Sequence, residues 1–309
     1  MSNNKKIIHF IEIGPLMEQN FSGIPKVICE IANYFLTKDD VFFFIGDVII
    51  PNQIVEKIIQ TKNPTYLNIA LSDLGSLYCL NKKLYEFRKE TKVGIFPNII
   101  TCSAFDFTVL IAHDISYITE SNTHSKDTIK FHSKAIYKDV KVCDLFLCVS
   151  KSTAEDVQLY LGVDSKKIKV ITIGSEMPIN FRVPAELLRK ARPFALYIGT
   201  IEPRKNIELI FKALKKRKSL LNNMDFLICG RDGWLVNFDQ LIEKYDLNKE
   251  KKEGKILRRN FVSEEEKWLM IQQAKMLIYP STFEGFGLPV AEALEAGTNV
   301  ITSNTSSLV

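Results

Sequence analysis

Short β-rich apolar runs alternate with helical patterns along the whole chain, and no other feature constrains the fold as much. Ile7 to Ile13, Val41 to Ile45, Val109 to Ala112, Leu145 to Val149 and Lys169 to Ile173 read as strands. Helical periodicity fills Ile24 to Phe35, Pro51 to Ile59, Thr128 to Val142 and Ser152 to Leu161, while Thr61 to Asn98 fits neither period. The pattern restarts at Phe194 to Ile198 and continues through Phe226 to Cys229, a weaker run near Ile256, Met276 to Tyr279 and Asn299 to Thr302. Parallel neighbours need long crossovers, so this alternation implies parallel sheets covered by helices on both faces. Ser175 to Pro193 holds Pro178, Pro184 and Pro193 and no strong strand, and reads as a break between two doubly wound domains. The expected division is 1–178, a linker over 179–193, and 194–309.

A chain of 309 residues with 46% hydrophobic content can support two cores. The start, Met1 to Gly14, is an apolar strand broken by His9 and Glu12 and lacks the uninterrupted core of a signal peptide. Val41 to Ile50 is interrupted by Gly46 and Asp47 and is too short to span a bilayer. Cys29, Cys79, Cys102, Cys143, Cys148 and Cys229 stand singly, without a Cys-x-x-Cys pair, which points to reduced core thiols and a cytoplasmic protein. The formal charge of +5 does not select a partner class by itself. Lys126, Lys130, Lys134, Lys138 and Lys141 recur at helical spacing, either as a solvated face or as a peripheral docking surface for anionic lipid headgroups.

The run from Tyr279 to Gly297 carries the strongest chemical signal. Gly285 and Gly287 free the backbone between a buried strand and a helix, Pro289 suits the first helical turn, and Gly297 suits the helix end. Unpaired amides at that helix start, with the positive end of its dipole, favour an anion near Phe286, Gly287 and Leu288. Glu284 and Glu292 flank this place as acceptors that suit hydroxyls and repel phosphate. The expected ligand therefore carries phosphate in the middle and hydroxyls on both sides.

A second element, Gly199-Thr200-Ile201-Glu202-Pro203-Arg204-Lys205-Asn206, follows the strand at Phe194 and is expected to open a helix over Ile207 to Leu220. Cations at a helix start oppose its dipole, so Arg204 and Lys205 suggest an anion nearby. In the first half, Gly23 lies in the turn between the first strand and the first helix, where backbone can approach a phosphate or sugar closely. His113 and Asp114 follow the strand at Val109, again at a carboxyl end, which is where open parallel sheets bind ligands.

Together these residues resemble a family. Glu284 through Glu292 is similar to the Glu-x7-Glu signature of GT4-type retaining glycosyltransferases, whose GT-B architecture sets two Rossmann-like domains across a cleft. Glu202 to Asn206, Gly230-Arg231-Asp232-Gly233-Trp234, Tyr279-Pro280-Ser281 and His113-Asp114 look like further motifs of its bacterial mannosyltransferase-like branch. The resemblance implies that Arg204 and Lys205 neutralise the donor diphosphate, that Glu292 holds the nucleotide ribose, and that Glu284 with Gly285, Phe286, Gly287 and Leu288 holds the donor sugar. It places Thr200 in the same donor site, His113 beside donor sugar and acceptor, and Gly23 beside the donor phosphates.

Breaking a sugar–phosphate bond builds negative charge on the leaving diphosphate, which preplaced cations and helix starts stabilise. The chain has no Asp-x-Asp metal motif, and Arg204 and Lys205 can do the neutralisation that a divalent ion does elsewhere, so neither a metal nor a cofactor is expected. The expected partners are a GDP-, UDP- or dTDP-linked sugar and a glycan or lipid-linked acceptor, with no nucleic acid. The resemblance also implies further strands and helices after Val309, so the second domain is expected to be incomplete and to leave apolar surface exposed. A catalytically silent sugar-nucleotide-binding or regulatory protein is the alternative. A nicotinamide-dependent dehydrogenase is not supported, because Gly285 and Gly287 are followed by Val290 rather than a third glycine.

Overall fold

The computed structural model describes residues 5–18, 23–74, 79–175, 177 and 192–309. The first sheet has seven strands: β1 (Ile7–Glu12), β2 (Val41–Ile45), β3 (Val48–Ile50), β4 (Thr91–Phe96), β5 (Phe107–Ala112), β6 (Leu145–Cys148) and β7 (Ile168–Val170). Their spatial order is β3-β2-β1-β4-β5-β6-β7, all parallel except the antiparallel hairpin of β2 and β3. The second sheet holds β8 (Phe194–Ile198), β9 (Asp225–Cys229), β10 (Ile256–Arg259), β11 (Met276–Tyr279) and β12 (Asn299–Thr302). It is wholly parallel in the order β10-β9-β8-β11-β12.

Each sheet reverses its winding direction once. From β8 the chain steps outward through β9 to β10, then returns to place β11 on the other side of β8. Right-handed crossovers then put helices on opposite faces and open a crevice at the carboxyl ends of β8 and β11. In the first sheet the equivalent reversal lies between β1 and β4.

Strand β4 lies in the stretch that fits neither period by sequence. Gly94 sits inside it, and a Cβ there would come within 2.5 Å of the Phe105 ring, so the glycine marks a side chain packed onto the backbone. Helices Thr65–Leu74 and Leu80–Glu86 fill the rest of that stretch. Other boundaries move as well. The last strand of the first sheet is Ile168–Val170, not Lys169 to Ile173, and the helix expected over Ile207 to Leu220 is split into Glu208–Lys216 and Leu220–Asn223.

By internal contacts, Met1–Ile115 and Phe131–Thr172 form one unit, and Ser116–Lys130 with Ile173–Val309 the other. The inclusion of Ser116–Lys130 in the second unit differs from a division at 178 and has a clear attachment. Trp234 Nε1 donates to the Thr123 carbonyl at 2.6 Å, and the His124 ring stacks on Trp234 with centroids 5.7 Å apart. Of the expected linker 179–193, only Arg192 and Pro193 lie within the described residues.

The first core is aromatic, with Phe10, Phe43, Phe44, Phe96 and Phe146 fully buried. The second centres on Tyr197, Phe211, Ile228, Ile271, Leu277 and Tyr279. All six cysteines are free thiols, but only Cys29, Cys143, Cys148 and Cys229 are buried; Cys79 is exposed and Cys102 partly so, which corrects the expectation of six core thiols. The second sheet also carries an open apolar groove of about 370 Å³, lined by residues including Leu209, Leu214, Leu221, Ile278 and Ile301. No described helix is long and apolar enough to cross a membrane.

Candidate active site

Two turns meet at the reversal point of the second sheet. After β8 the chain passes Gly199 and Thr200, forms a single 3-10 turn over Pro203–Lys205, and enters helix Glu208–Lys216 only after Asn206 takes a left-handed conformation at φ 49°. Arg204 and Lys205 therefore stand in a turn ahead of the helix rather than at its start. That corrects the dipole argument made from sequence and leaves the cations free to face the neighbouring loop.

Position 230 shows how tightly the turns are set. A Cβ on Gly230 would lie 1.9 Å from the Gly199 carbonyl oxygen, so only glycine lets the turns after β8 and β9 cross. Ile201 N then donates to the Arg231 carbonyl at 2.9 Å, and Gly233 N to the Ile201 carbonyl at 2.9 Å. Asp232 in the same motif accepts from Arg258 Nη1 at 3.1 Å and from Phe238 N at 2.9 Å.

The loop after β11 clamps the 3-10 turn. The Arg204 carbonyl accepts from Thr282 N at 2.8 Å and from the Ser281 and Thr282 hydroxyls at 3.1 Å each. Arg204 in turn donates to the Phe283 carbonyl at 2.7 Å, to Glu202 Oε1 at 3.0 Å and to Glu284 Oε2 at 3.3 Å. Lys205 Nζ donates to Glu284 Oε1 at 2.6 Å and to the Tyr279 hydroxyl at 2.9 Å. Glu284 also receives outer support: its amide donates to Ser306 Oγ and its carbonyl accepts from Ser307 Oγ, both at 2.9 Å.

This geometry changes the reading of Glu284. From sequence it is a hydroxyl acceptor flanking a phosphate; in the structure each of its oxygens meets a cation. Burial pushes its pKa up, but Lys205 and Arg204 outweigh burial and hold it below the ordinary value, so it is ionised at neutral pH. Glu202 goes the other way: burial lifts its pKa against the pull of Arg204 and Lys205, and Glu284 adds to the lift. The Ser281 and Tyr279 hydroxyls interact with the same Glu284 carboxylate, so its lone-pair sites are largely taken by the protein itself.

Helix Leu288–Glu295 starts at Gly287, whose φ of 91° requires glycine, with Pro289 in its first turn. Pro289 carries no amide and Val290 N donates to the Gly287 carbonyl at 2.9 Å, so within the first three positions of the helix only Leu288 has an amide to offer an anion, fewer than the sequence suggests. The helix closes as expected at Gly297: Thr298 N donates to the Ala293 carbonyl at 2.8 Å and Gly297 N to that of Leu294 at 3.1 Å, a Schellman closure. Glu292 is buried and paired with Lys267 Nζ at 2.8 Å, a partner that sequence spacing does not reveal because it comes from helix Glu264–Gln273.

The first unit presents its own residues at the carboxyl edge of its sheet. His113 follows β5. Its ring hydrogen-bonds the Pro97 carbonyl just after β4, leaving Nε2 buried without a partner among the described residues. Burial lowers its pKa to about 4 despite nearby Asp114, so it is a neutral imidazole at neutral pH. Gly23 caps helix Ile24–Leu36 at φ 63° with open space around it; Phe21 and Ser22 of the same turn lie outside the described residues.

Glu12 was not singled out from the sequence. It ends β1 at the reversal point of the first sheet, is buried, accepts the Gly14 amide at 2.9 Å, and burial raises its pKa to about 7. The available signal was an acid closing an otherwise apolar strand.

Comparison with known proteins places this geometry. Residues 180–309 match the family described as Glycosyl transferases group 1. The O-antigen chain mannosyltransferase B of Escherichia coli is 29% identical over 221 residues, covering 69% of this chain and 57% of that protein, so the match spans little more than half of that relative. Anabaena HepE, solved in complex with UDP and glucose, shares the fold at a TM-score of 0.64 and 15% identity, covering 98% of this chain and 82% of that one. WaaG, a glycosyltransferase involved in lipopolysaccharide biosynthesis, does so at a TM-score of 0.62 and 15% identity over 97% of this chain and 82% of that one. Two Rossmann-like units and the paired motifs at the reversal point agree with these likenesses: residues 180–309 match that family, and the chain has the GT-B architecture of these solved structures.

Proposed function

We propose that this chain transfers a sugar, mannose or a similar hexose, from a nucleotide-sugar donor to a glycan or lipid-linked acceptor in cell-surface polysaccharide assembly, with retention of anomeric configuration. The observation that carries this reading is the cluster of part-buried Arg204 and Lys205 on buried Glu284 at the β8–β11 reversal point, beside the start of helix Leu288–Glu295. Similarity to an O-antigen mannosyltransferase supports the substrate class.

The donor diphosphate would sit against Arg204 and Lys205, with the amides of the Gly285 to Leu288 loop and Thr200 around it. Both cations are held by Glu284 before the ligand arrives, so they need little reorganisation when charge develops on the leaving group. Glu284 orients them and, with the Gly285 to Leu288 loop, would hold the donor sugar. Glu292, fixed by Lys267, would accept from the nucleotide ribose. In the first unit, neutral His113 would offer Nε2 as an acceptor near donor sugar and acceptor, and Gly23 would let backbone approach phosphate.

Two cations already serve the diphosphate, so this reading assigns no divalent ion to the step. It places the enzyme in the cytoplasm, where nucleotide sugars would reach it. The testing experiment is a thermal-shift panel of GDP-, UDP- and dTDP-linked sugars followed by turnover with the sugar that binds, with and without a chelator. A ligand bound only by the folded state raises the melting temperature. Transfer of the sugar, insensitive to chelator, supports the proposal. Binding without transfer to any acceptor would support a sugar-nucleotide-binding or regulatory protein instead.

A further inference from the structure

Helix Lys126–Val142 runs for 17 residues and carries one face that the sugar-transfer reading does not use. At about 100° per residue, Lys126, Lys130, Lys134, Lys138 and Lys141 fall on a single stripe. All five are exposed, and none makes an ion pair or side-chain hydrogen bond among the described residues. Elsewhere Lys83, Lys92, Lys205, Lys218, Lys251, Lys255 and Lys267 each have a carboxylate partner. Tyr137, 51% exposed, stands within the stripe, and Phe131, 62% exposed, stands at its edge. The opposite face is anchored by buried Ile136 and by Asp139, which accepts the Ile100 amide at 3.1 Å.

A merely solvated helix face mixes signs, because acid–base pairs one turn apart stabilise it. Here Lys126, Lys130, Lys134 and Lys138 put like charges one turn apart, a destabilising spacing, and Asp127 is the single acid within the same arc. The arrangement makes sense against an external anionic surface. A nucleic acid would favour arginine, whose planar fork reads phosphates and base edges in pairs; this face has lysines alone, acting as point charges. A straight basic row with one aromatic ring within it and one at its edge suits the plane of lipid headgroups, where rings settle at the interface and lysines attract anionic lipid.

We infer that the Lys126–Val142 helix is a peripheral docking face for an anionic bilayer, with the lysine stripe on the headgroups and Phe131 and Tyr137 at the interface. The whole chain would be floated with vesicles of phosphatidylcholine alone, or with about one-third phosphatidylglycerol, at ~0.1 M salt. The inference expects flotation with the anionic vesicles only, lost at high salt. Lys130→Gln, Lys134→Gln and Lys138→Gln together would weaken it by on the order of a hundredfold, at about fivefold per lysine. Phe131→Ser would weaken it further without changing its salt dependence. Exposed, unpaired lysines can be replaced without unfolding the protein, which an unchanged thermal melt confirms. Unchanged flotation in the triple variant would overturn the inference, as would absent vesicle binding or lysine-dependent retention on single-stranded RNA without vesicle binding. None of these readouts requires sugar transfer, so they stand or fall apart from the proposed activity.

Discussion

Lys205 Nζ sits 2.6 Å from Glu284 Oε1, a largely buried ion pair that ties the turn after β8 to the loop after β11. The pair lies at the reversal point of the second sheet and is completed by Arg204 on the other oxygen of Glu284. Removing one member of a buried pair strands the other charge, so Lys205→Ala and Glu284→Gln should each destabilise the fold by about 3 kcal/mol. Urea denaturation of the single and double variants checks this. The double variant should cost less than the sum of the singles, because the second change removes the stranded partner.

Glu12 makes stability depend on pH in a defined direction. Its folded pKa of about 7 lies above the reference value of 4.5, so its contribution is fully present below pH 4.5 and is lost as pH rises through 7. A shift of this size corresponds to about 3 kcal/mol. Glu12→Gln should remove that dependence, so its stability relative to the parent should grow across this interval and level off above it. Denaturant unfolding of both proteins over the pH range measures the difference.

His113 behaves in the opposite sense. Its folded pKa of about 4 lies below the reference value of 6.5, so the neutral ring is the form the fold prefers, and stability is lost as pH falls from 6.5 toward 4. Following the ring-proton shift by NMR should give a midpoint near that lower value. A midpoint near the reference value would mean that Nε2 is solvated and not the buried acceptor described.

Gly230→Ala should damage both fold and site. Its Cβ would fall 1.9 Å from the Gly199 carbonyl, and backbone rather than a flexible side chain must move. Overpacking of this kind costs about 1–3 kcal/mol or more. The displaced turn carries Thr200, Arg204 and Lys205, so ligand-induced thermal shift should fall together with the melting temperature itself.

Much of this architecture was legible in the sequence because parallel strands buried on both faces read as continuous apolar runs. Strands β8, β9 and β11 were placed from such runs alone. Strand β4 was not, because Thr91, Lys92 and Gly94 break the pattern, and the reason for Gly94 is the Phe105 ring packed on it. The membership of Ser116–Lys130 in the second unit was equally hidden, since it depends on Trp234 meeting Thr123, far away in sequence. At the site, the motifs after β8 and β11 were found by residue type and by their place after strands. What spacing could not convey was pairing: Glu284 with Lys205 and Arg204, and Glu292 with Lys267. The position of Arg204 and Lys205 was misread because Asn206 takes a left-handed conformation, which delays the helix.

The proposed activity depends on Lys205 and Arg204 stabilising a leaving diphosphate. The most direct test measures sugar transfer by the parent and by Lys205→Ala, using the nucleotide sugar found to bind, with the folded fraction of each protein determined in parallel. Turnover per folded molecule should fall by on the order of a hundredfold or more. Near-normal turnover by folded Lys205→Ala would contradict it.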